Sequence, residues 1–215
     1  MSLSISVFSD VICPWCLIGK RRLERALQTI GLADETTIRW LPFELNPDMP
    51  DEGMARADYR AAKFGVARAA QLDEEMTARG RDEGIAFAFD RQSWTPNTRK
   101  AHRLIAHAGR VGGADALVEA LFRAYFEEGQ DIGDEGVLLG IATAVGLDRD
   151  ACRSALTDEA LGAEIVALER RAGEIGVSGV PFFIVDDRWA VSGAQSPETW
   201  IEALRERAAA RPAAE

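Results

Sequence analysis

The chain has 215 residues, 47% of them hydrophobic, and a formal net charge of −10 at pH 7. This hydrophobic content is sufficient for a substantial buried core, whereas the acidic balance argues against binding to nucleic acid, which relies on clustered Lys and Arg. With three cysteines in all, the composition also differs from that of a disulfide-rich secreted protein.

The amino terminus predicts a strand followed directly by a helix. Residues 4–9 alternate polar and apolar side chains and are rich in β-forming residues. Leu23, Leu27 and Ile30 then recur at helical spacing, so we expect an amphipathic helix that ends near Gly31.

A C-x-x-C motif, residues 13–16 (CPWC), lies at the junction of this strand and helix. Pro14 suits the first helical position, where a missing backbone N–H costs nothing, and this places Cys13 at or near the N-cap. There we expect the Cys13 sulfur to accept hydrogen bonds from free backbone N–H groups and to feel the helix dipole, which both favour a thiolate. Cys16 lies deeper in the first turn. We therefore predict dithiol–disulfide exchange, with Cys13 as the attacking thiol and Cys16 as the resolving thiol.

The same motif also forms half of a zinc site in other proteins. Structural zinc usually needs four ligands, and the remaining candidates here are Cys152, His102 and His107. The two histidines point in different directions if their segment is helical. Because no second ligand pair has zinc-binding spacing, we expect no metal.

The middle of the chain predicts a change from strand to helix. Residues 37–43 form a second predicted strand, so the first helix would connect two parallel strands in a βαβ unit. A turn-rich link follows at residues 46–53, and the periodicity from about residue 57 to residue 172 is almost wholly helical. Breaks in this helical region are predicted at residues 94–97, 112–113, 129–133 and 146.

Strand patterns return near the carboxyl terminus. Residues 181–185 and 188–192 flank a pair of aspartates, which predicts a hairpin. Ser196 is a suitable N-cap for a closing helix that begins with Pro197. The order of elements is typical of an α/β thioredoxin-like fold with a large all-helical insertion after the second strand.

This order predicts a discontinuous domain organisation. Residues 1–56 and 173–208 would form the thioredoxin-like domain, and residues 57–172 the helical insertion domain. Residues 209–215 would form a flexible tail.

Five segments of the chain resemble a known family. The CPWC motif at residues 13–16, GVPFF at 179–183 and SGAQ at 192–195 are together similar to the DsbA-like thiol-disulfide oxidoreductases of the thioredoxin superfamily. The resemblance extends to the FrnE-like branch of that family, since residues 97–103 and 125–132 are similar to segments of its helical insertion.

The resemblance implies a DsbA-like fold and a set of substrate-binding residues. In this family a cis-proline loop faces the dithiol, which implies a cis bond between Val180 and Pro181 and assigns both residues to the site. We add Pro14 and Trp15 as substrate-binding residues next to the thiols, although a packing role for Trp15 fits the sequence equally well.

Three further residues are weaker candidates. Asp10, three residues before Cys13, is a candidate proton relay or, equally, a turn former. His102 is a candidate for the groove between the domains, although a lone histidine on a helix is more often a packing or surface residue. We expect Cys152 to fill a small apolar site.

The same resemblance includes a competing function. Kappa-class glutathione transferases and 2-hydroxychromene-2-carboxylate isomerases share the fold and the insertion, but they have a serine where Cys13 stands and do not cycle a dithiol. Since Cys16 has no use in such an enzyme, the sequence favours a disulfide oxidoreductase. The transferase, the isomerase and a non-catalytic thiol- or peptide-binding module remain alternatives.

Partners and location follow from these expectations. We expect a disulfide-containing protein or a small thiol such as glutathione as partner, with glutathione as a candidate co-substrate and no cofactor beyond the redox-active disulfide. No secretory signal and no membrane-length apolar run is visible, so we predict a cytoplasmic protein without a membrane partner. The cytosolic glutathione pool would keep the dithiol reduced, which favours the reductase or isomerase direction.

Overall fold

A four-stranded mixed sheet organises the fold. The computed structural model describes residues 3–209, and the sheet order is β2-β1-β5-β6. β1 pairs in parallel with β2 and antiparallel with β5, and β5 pairs antiparallel with β6. The strands are β1 (Leu3–Ser9), β2 (Thr36–Pro42), β3 (Met54–Ala55), β4 (Trp94–Thr95), β5 (Phe182–Val185) and β6 (Trp189–Ser192).

The helices connect these strands in the order predicted from the sequence. The first helix joins the parallel pair, seven helices lie between β2 and β5, and one closes the described part of the chain. They are α1 (Pro14–Thr29), α2 (Arg56–Phe64), α3 (Val66–Asp82), α4 (Arg99–Val111), α5 (Ala114–Phe126), α6 (Glu135–Ala144), α7 (Arg149–Thr157), α8 (Glu159–Glu174) and α9 (Pro197–Ala209).

Both predicted βαβ and ββα units are present. Val7 in the middle of β1 lies opposite Trp40 of β2 on one side and Phe183 of β5 on the other. The β5–β6 hairpin turns through Asp186 and Asp187, which have positive φ values of 50° and 53°, as a two-residue turn of type I′ requires. The α/β thioredoxin-like fold with a helical insertion is thus confirmed.

One segment of the insertion is less helical than its sequence predicts. The break expected near residues 94–97 extends over residues 83–98, and part of it pairs β4 with β3. Phe87 and Phe89 in this segment stack on each other at 5.0 Å, and Phe87 meets the ring of Phe126 at 5.2 Å. Aromatic contacts stabilise this segment without a helical repeat. Its structure therefore leaves no periodic pattern in the sequence.

The apolar core is continuous from the sheet into the insertion. Phe183 and Trp200 pack edge to face at 4.9 Å behind the sheet, and the same cluster of buried side chains includes Phe122 and Phe126 of α5. Both thiols of the CPWC motif belong to this cluster. The dithiol therefore lies where the sheet and the insertion meet.

The predicted domain boundaries stay a prediction, because one continuous core joins the sheet to the insertion. The predicted tail lies, apart from residue 209 at the end of α9, outside the described residues. No helix within residues 3–209 combines the length and the apolar character needed to cross a membrane.

Candidate active site

The CPWC motif lies at the amino-terminal end of α1. Cys13 is the N-cap residue and Pro14 occupies the first helical position, as the sequence predicts. Both thiols are free and almost fully buried, with Cys13 4% and Cys16 2% exposed. Of the two thiols, Cys13 lines a cavity through which a substrate can reach it.

The expected hydrogen bonds from the helix to the Cys13 sulfur are absent among the described residues, so that prediction is wrong. Pro14 has no backbone N–H to donate, and the backbone N–H of Cys16 donates instead to the carbonyl oxygen of Cys13 at 3.0 Å. The Cys13 Sγ donates to the carbonyl oxygen of Val180 at 3.6 Å. The sulfur thus faces the loop that precedes β5.

This loop contains the cis bond that the family resemblance implies. The Val180–Pro181 peptide is cis, and the carbonyl oxygen of Pro181 accepts a hydrogen bond from Gly193 at 2.9 Å. On its other side the loop lies against α1 at Gly19, where an added Cβ would come within 2.9 Å of Pro181 Cγ. Contacts on two sides thus hold the loop next to Cys13.

Cys16 has the properties of a resolving thiol. Burial, followed by the hydrogen bond and the charge of Cys13, raises the pKa of Cys16 well above its ordinary value. Cys16 therefore stays protonated while Cys13 attacks, and it needs to lose its proton before it can displace a bound partner.

Asp10 lies behind the dithiol and is fully buried. Its Oδ2 accepts a hydrogen bond from the backbone N–H of Leu45 at 2.8 Å, and its Oδ1 accepts a longer one from Ile12 at 3.4 Å. No hydrogen bond within residues 3–209 joins this carboxylate to either thiol. The contacts fit the turn-forming role, and the proton relay stays a prediction.

His102 is also buried, at 3% exposure. Its Nε2 lies 3.7 Å from Asp10 Oδ1, a distance that suits an ion pair but is too long for a hydrogen bond. His102 does not line the cavity in front of Cys13. It borders a second cavity of 510 Å³ between β2 and helices α4, α5 and α8.

The cavity in front of Cys13 has a volume of 390 Å³, within the range of small-molecule sites. One end consists of the CPWC motif and the Gly179–Val180 loop, and the other of α2 and α3. Trp15 forms part of the wall and is 37% exposed, with the guanidinium of Arg79 5.4 Å from its ring centre. Further aromatic residues of the wall are Tyr59, Phe64, Phe89, Tyr125 and Phe126.

The cavity wall has more positive than negative charge, in contrast to the acidic protein as a whole. Arg56 and Arg60 share one carboxylate, that of Asp73, at 2.8 and 2.6 Å. Lys63 donates to two neutral oxygens, the Asn46 side-chain carbonyl at 3.1 Å and the Tyr59 hydroxyl at 2.7 Å. This arrangement suits a substrate that carries carboxylates.

The spacing of these three cations is a pattern that sequence reasoning missed. Arg56, Arg60 and Lys63 follow one another at spacings of four and three residues, which places them on one face of a helix. Nothing in the local pattern shows that this face points toward the dithiol, because the contact joins segments far apart in the chain.

Cys152 does not line this cavity. Cys152 is fully buried in α7, and burial raises the pKa of its thiol, as expected for a packing residue. Within the described part of the chain, no group of three or more His, Cys, Asp or Glu side chains is placed to hold a metal ion.

Comparison with known proteins places this geometry in a family context. The model of the DSBA-like thioredoxin domain family matches residues 4–205. Protein YwbO of Bacillus subtilis is 28% identical over 205 residues, which are 95% of this chain and 96% of YwbO.

Two solved structures extend the comparison. The crystal structure of a probable DsbA oxidoreductase from Streptomyces coelicolor superposes with a TM-score of 0.89 and 30% identity, over 99% of this chain and 93% of that chain. The cytosolic disulfide reductase DsbM of Pseudomonas aeruginosa with GSH has a TM-score of 0.69 and 21% identity, over 96% of this chain and 99% of that chain. At this identity, DsbM shows similarity of fold alone.

Proposed function

Since the chain belongs to the DSBA-like thioredoxin domain family, we propose that it is a thiol-disulfide oxidoreductase that uses Cys13 and Cys16. The observation that carries the proposal is the position of the Cys13 sulfur, 3.6 Å from the Val180 carbonyl at one end of a substrate-sized cavity. Cys16 lies directly behind it, where it can resolve a mixed disulfide.

The exchange proceeds in two displacement steps. The Cys13 thiolate attacks one sulfur of a substrate disulfide, so that a Cys13–substrate disulfide forms and the first substrate thiolate leaves. Cys16 then loses its proton and attacks the Cys13 sulfur, which releases the second substrate thiolate and leaves the Cys13–Cys16 disulfide. Two electrons have passed from the protein to the substrate, and two molecules of a reducing thiol restore the dithiol.

The backbone of the loop orients the incoming disulfide. A substrate sulfur bonded to Cys13 lies next to Val180, whose backbone offers hydrogen bonds to an extended thiol substrate. Pro14 and Trp15 border the same end of the cavity, so both contact the substrate once it is bound. No cofactor takes part in either step.

The preferred partner is a small acidic thiol such as glutathione, or a disulfide-bonded peptide with acidic groups. The cationic end of the cavity supports this choice, because the charged residues of its wall within residues 3–209 are three cations, Arg56, Arg60 and Lys63, and one anion, Asp73. DsbM, a cytosolic reductase of the same fold, is described with GSH. By this analogy we place the protein in the cytoplasm and assign it the reductase direction.

Two cysteine variants test the proposal. With glutathione and 2-hydroxyethyl disulfide as substrates, we expect Cys13→Ser to lose turnover by about a hundredfold or more, since the attacking thiolate is removed. Cys16→Ala should instead accumulate a mixed disulfide at Cys13, visible as a mass increase that dithiothreitol reverses. Cys152→Ala is the matched control and should turn over like the parent protein.

The same experiment separates the alternatives. Full turnover by Cys16→Ala would contradict dithiol exchange, because glutathione itself would then reduce the mixed disulfide at Cys13. Thioether formation or isomerisation by a parent protein that reduces no disulfide would favour a glutathione-dependent transferase or isomerase. Glutathione binding without any turnover by the parent protein would favour a binding module.

A further inference from the structure

Residues 97–103 take no part in the exchange steps, yet they contact the segments on which the dithiol rests. The Asn97 amide donates to the carbonyl oxygen of Met49 at 2.8 Å, and Arg99 forms an ion pair with Glu44 at 3.1 Å. His102 lies against Asp10. This segment of the insertion therefore packs against both the loop after β2 and the turn before α1.

The Asp10 carboxylate connects three separate parts of the chain. It accepts hydrogen bonds from Ile12, directly before the CPWC motif, and from Leu45 in the loop after β2, and it faces His102 on α4. The backbone carbonyl oxygen of Asp10 also accepts a hydrogen bond from the N–H of Cys13 at 3.0 Å. Asp10, the first residue of the turn that carries the attacking thiol, thus stabilises this turn through both its backbone and its side chain.

Burial makes this arrangement dependent on His102. A fully buried carboxylate is strongly destabilising unless a cation or several donors compensate its charge. Asp10 has two backbone donors, one of them long, and within residues 3–209 His102 is the cationic side chain in ion-pair contact with it, at 3.7 Å. The Nε2 of His102 is itself buried and has no hydrogen-bond partner within residues 3–209. Its polar contact is the ion pair with Asp10.

We propose that His102 is a positioning residue of the dithiol: its imidazole holds the Asp10 carboxylate that fixes the turn on which Cys13 is presented. A side chain of the helical insertion thereby sets the reactivity of a thiol on the thioredoxin-like part. The inference rests on the proposed exchange function, because reactivity is measured through Cys13.

Several carboxylates surround His102 and decide its charge. Burial opposes protonation, but Asp10, Glu169 of α8 and Glu44 outweigh it and raise the pKa of His102 above its ordinary 6.5. Arg99 on the same helix is paired with Glu44. The cavity on the other side of His102 adds charged groups of both signs, namely Arg39, Arg110, Asp115 and Glu164.

The sign of the pH dependence follows from this raised pKa. Below about pH 6.5, His102 is protonated and holds Asp10 by charge. As the pH rises through the pKa of His102 in the folded protein, this attraction is lost. The contribution of His102 to the exchange rate is therefore largest in mildly acidic solution.

The test compares His102→Gln with His107→Gln, the same substitution on the same helix at a partly exposed histidine. Exchange with 2-hydroxyethyl disulfide is measured across pH, together with the equilibrium of the Cys13–Cys16 pair against a glutathione redox buffer. For His102→Gln we expect a rate about five- to tenfold below the parent at low pH, a gap that closes as the pH rises, and a changed redox equilibrium. For His107→Gln we expect the parent profile.

Asp10→Asn removes the charge of the other member of the pair and keeps the shape of the side chain. We expect it to lose the same pH dependence, and the double variant with His102→Gln to be no slower than the slower single variant. A His102→Gln protein that is less stable but keeps the parent's pH profile and redox equilibrium would overturn the proposal. So would fully additive effects in the double variant. A parent protein that forms no Cys13–Cys16 disulfide would instead refute the exchange function itself.

Discussion

Lys63 differs from the other cations of the dithiol cavity in its partners. Arg56 and Arg60 are neutralised in part by Asp73, whereas the Lys63 ammonium donates to the neutral oxygens of Asn46 and Tyr59. A substrate carboxylate can replace such neutral acceptors without breaking an ion pair. At the scale of single residues, Lys63 is therefore the side chain best placed to select acidic substrates.

Replacing Lys63 by Gln should lower kcat/KM for glutathione disulfide by about tenfold, which corresponds to about 1.4 kcal/mol of lost charge-assisted interaction. The same variant should reduce the neutral 2-hydroxyethyl disulfide at the parent rate. Arg68→Gln, which removes an exposed cation paired with Glu75, is the control and should change neither value. An equal loss for both disulfides in Lys63→Gln would show that the effect is structural.

At the scale of elements, the fit between α1 and the cis-proline loop depends on a glycine. A Cβ at Gly19 would lie 2.9 Å from Pro181 Cγ and 3.3 Å from Phe183 Cζ, closer than packed carbon atoms normally approach. Glycine in a helix interior costs about 0.5–1 kcal/mol relative to alanine. This close approach, which brings the loop to the dithiol, is the physical reason for the glycine.

Gly19→Ala should therefore destabilise the protein by about 1–3 kcal/mol through overpacking, and it should slow disulfide exchange because the Val180–Pro181 loop is displaced. The matched control is Gly109→Ala in α4, where an added Cβ meets no atom within 4 Å and the gain in helix propensity should stabilise the protein by about 0.5–1 kcal/mol. Urea unfolding and exchange rates measure both effects. A Gly19→Ala protein as stable and as active as the parent would contradict this account of the contact.

At the scale of the whole molecule, ion pairs attach the dithiol helix to the insertion. Lys20 and Arg21 on α1 both reach Glu119 of α5, at 3.0 Å and 2.8 Å. Farther along the chain, Arg25 of α1 forms an ion pair with Glu83 at 2.8 Å, just beyond α3. Since α1 carries the CPWC motif, these contacts orient the thiols relative to the cationic wall of the cavity.

The Glu119 contact predicts a stability loss in acid. Burial opposes ionisation, but the hydrogen bonds and charges of Arg21 and Lys20 lower the pKa of Glu119 from its ordinary 4.5 to about 2. Its contribution is thus complete above pH 4.5 and is lost as the pH falls through about 2. Because Glu119 is partly exposed, solvent screening reduces this contribution to about 1 kcal/mol.

Glu119→Gln should accordingly unfold about 1 kcal/mol more easily than the parent at pH 7, with a difference that disappears near pH 2. Denaturant unfolding at several pH values measures it. Glu75→Gln, at the exposed pair with Arg68, serves as the control with little expected effect. A Glu119→Gln difference that stays constant from pH 7 to pH 2 would exclude the ion pair as its cause.

The family and the fold were predictable from a small number of segments. The strand before Cys13 and Pro14 at the start of α1 are local signals, and both appear in the structure as the pattern indicates. The cis bond before Pro181 was implied by the family resemblance and is also present. The predicted hydrogen bonds to the Cys13 sulfur failed for a local reason as well, since the N–H of Cys16 is used by the Cys13 carbonyl.

The dithiol, its helix, the surrounding strands and the thioredoxin-like order are predictable from the chain alone, because each depends on neighbouring residues and on periodicity. The surroundings of the thiols depend on how distant segments pack. The pair of Asp10 with His102, and the cavity between Cys13 and Lys63, join segments that are distant in the chain. No spacing rule relates such positions, since the packing of the insertion against the sheet alone brings them together.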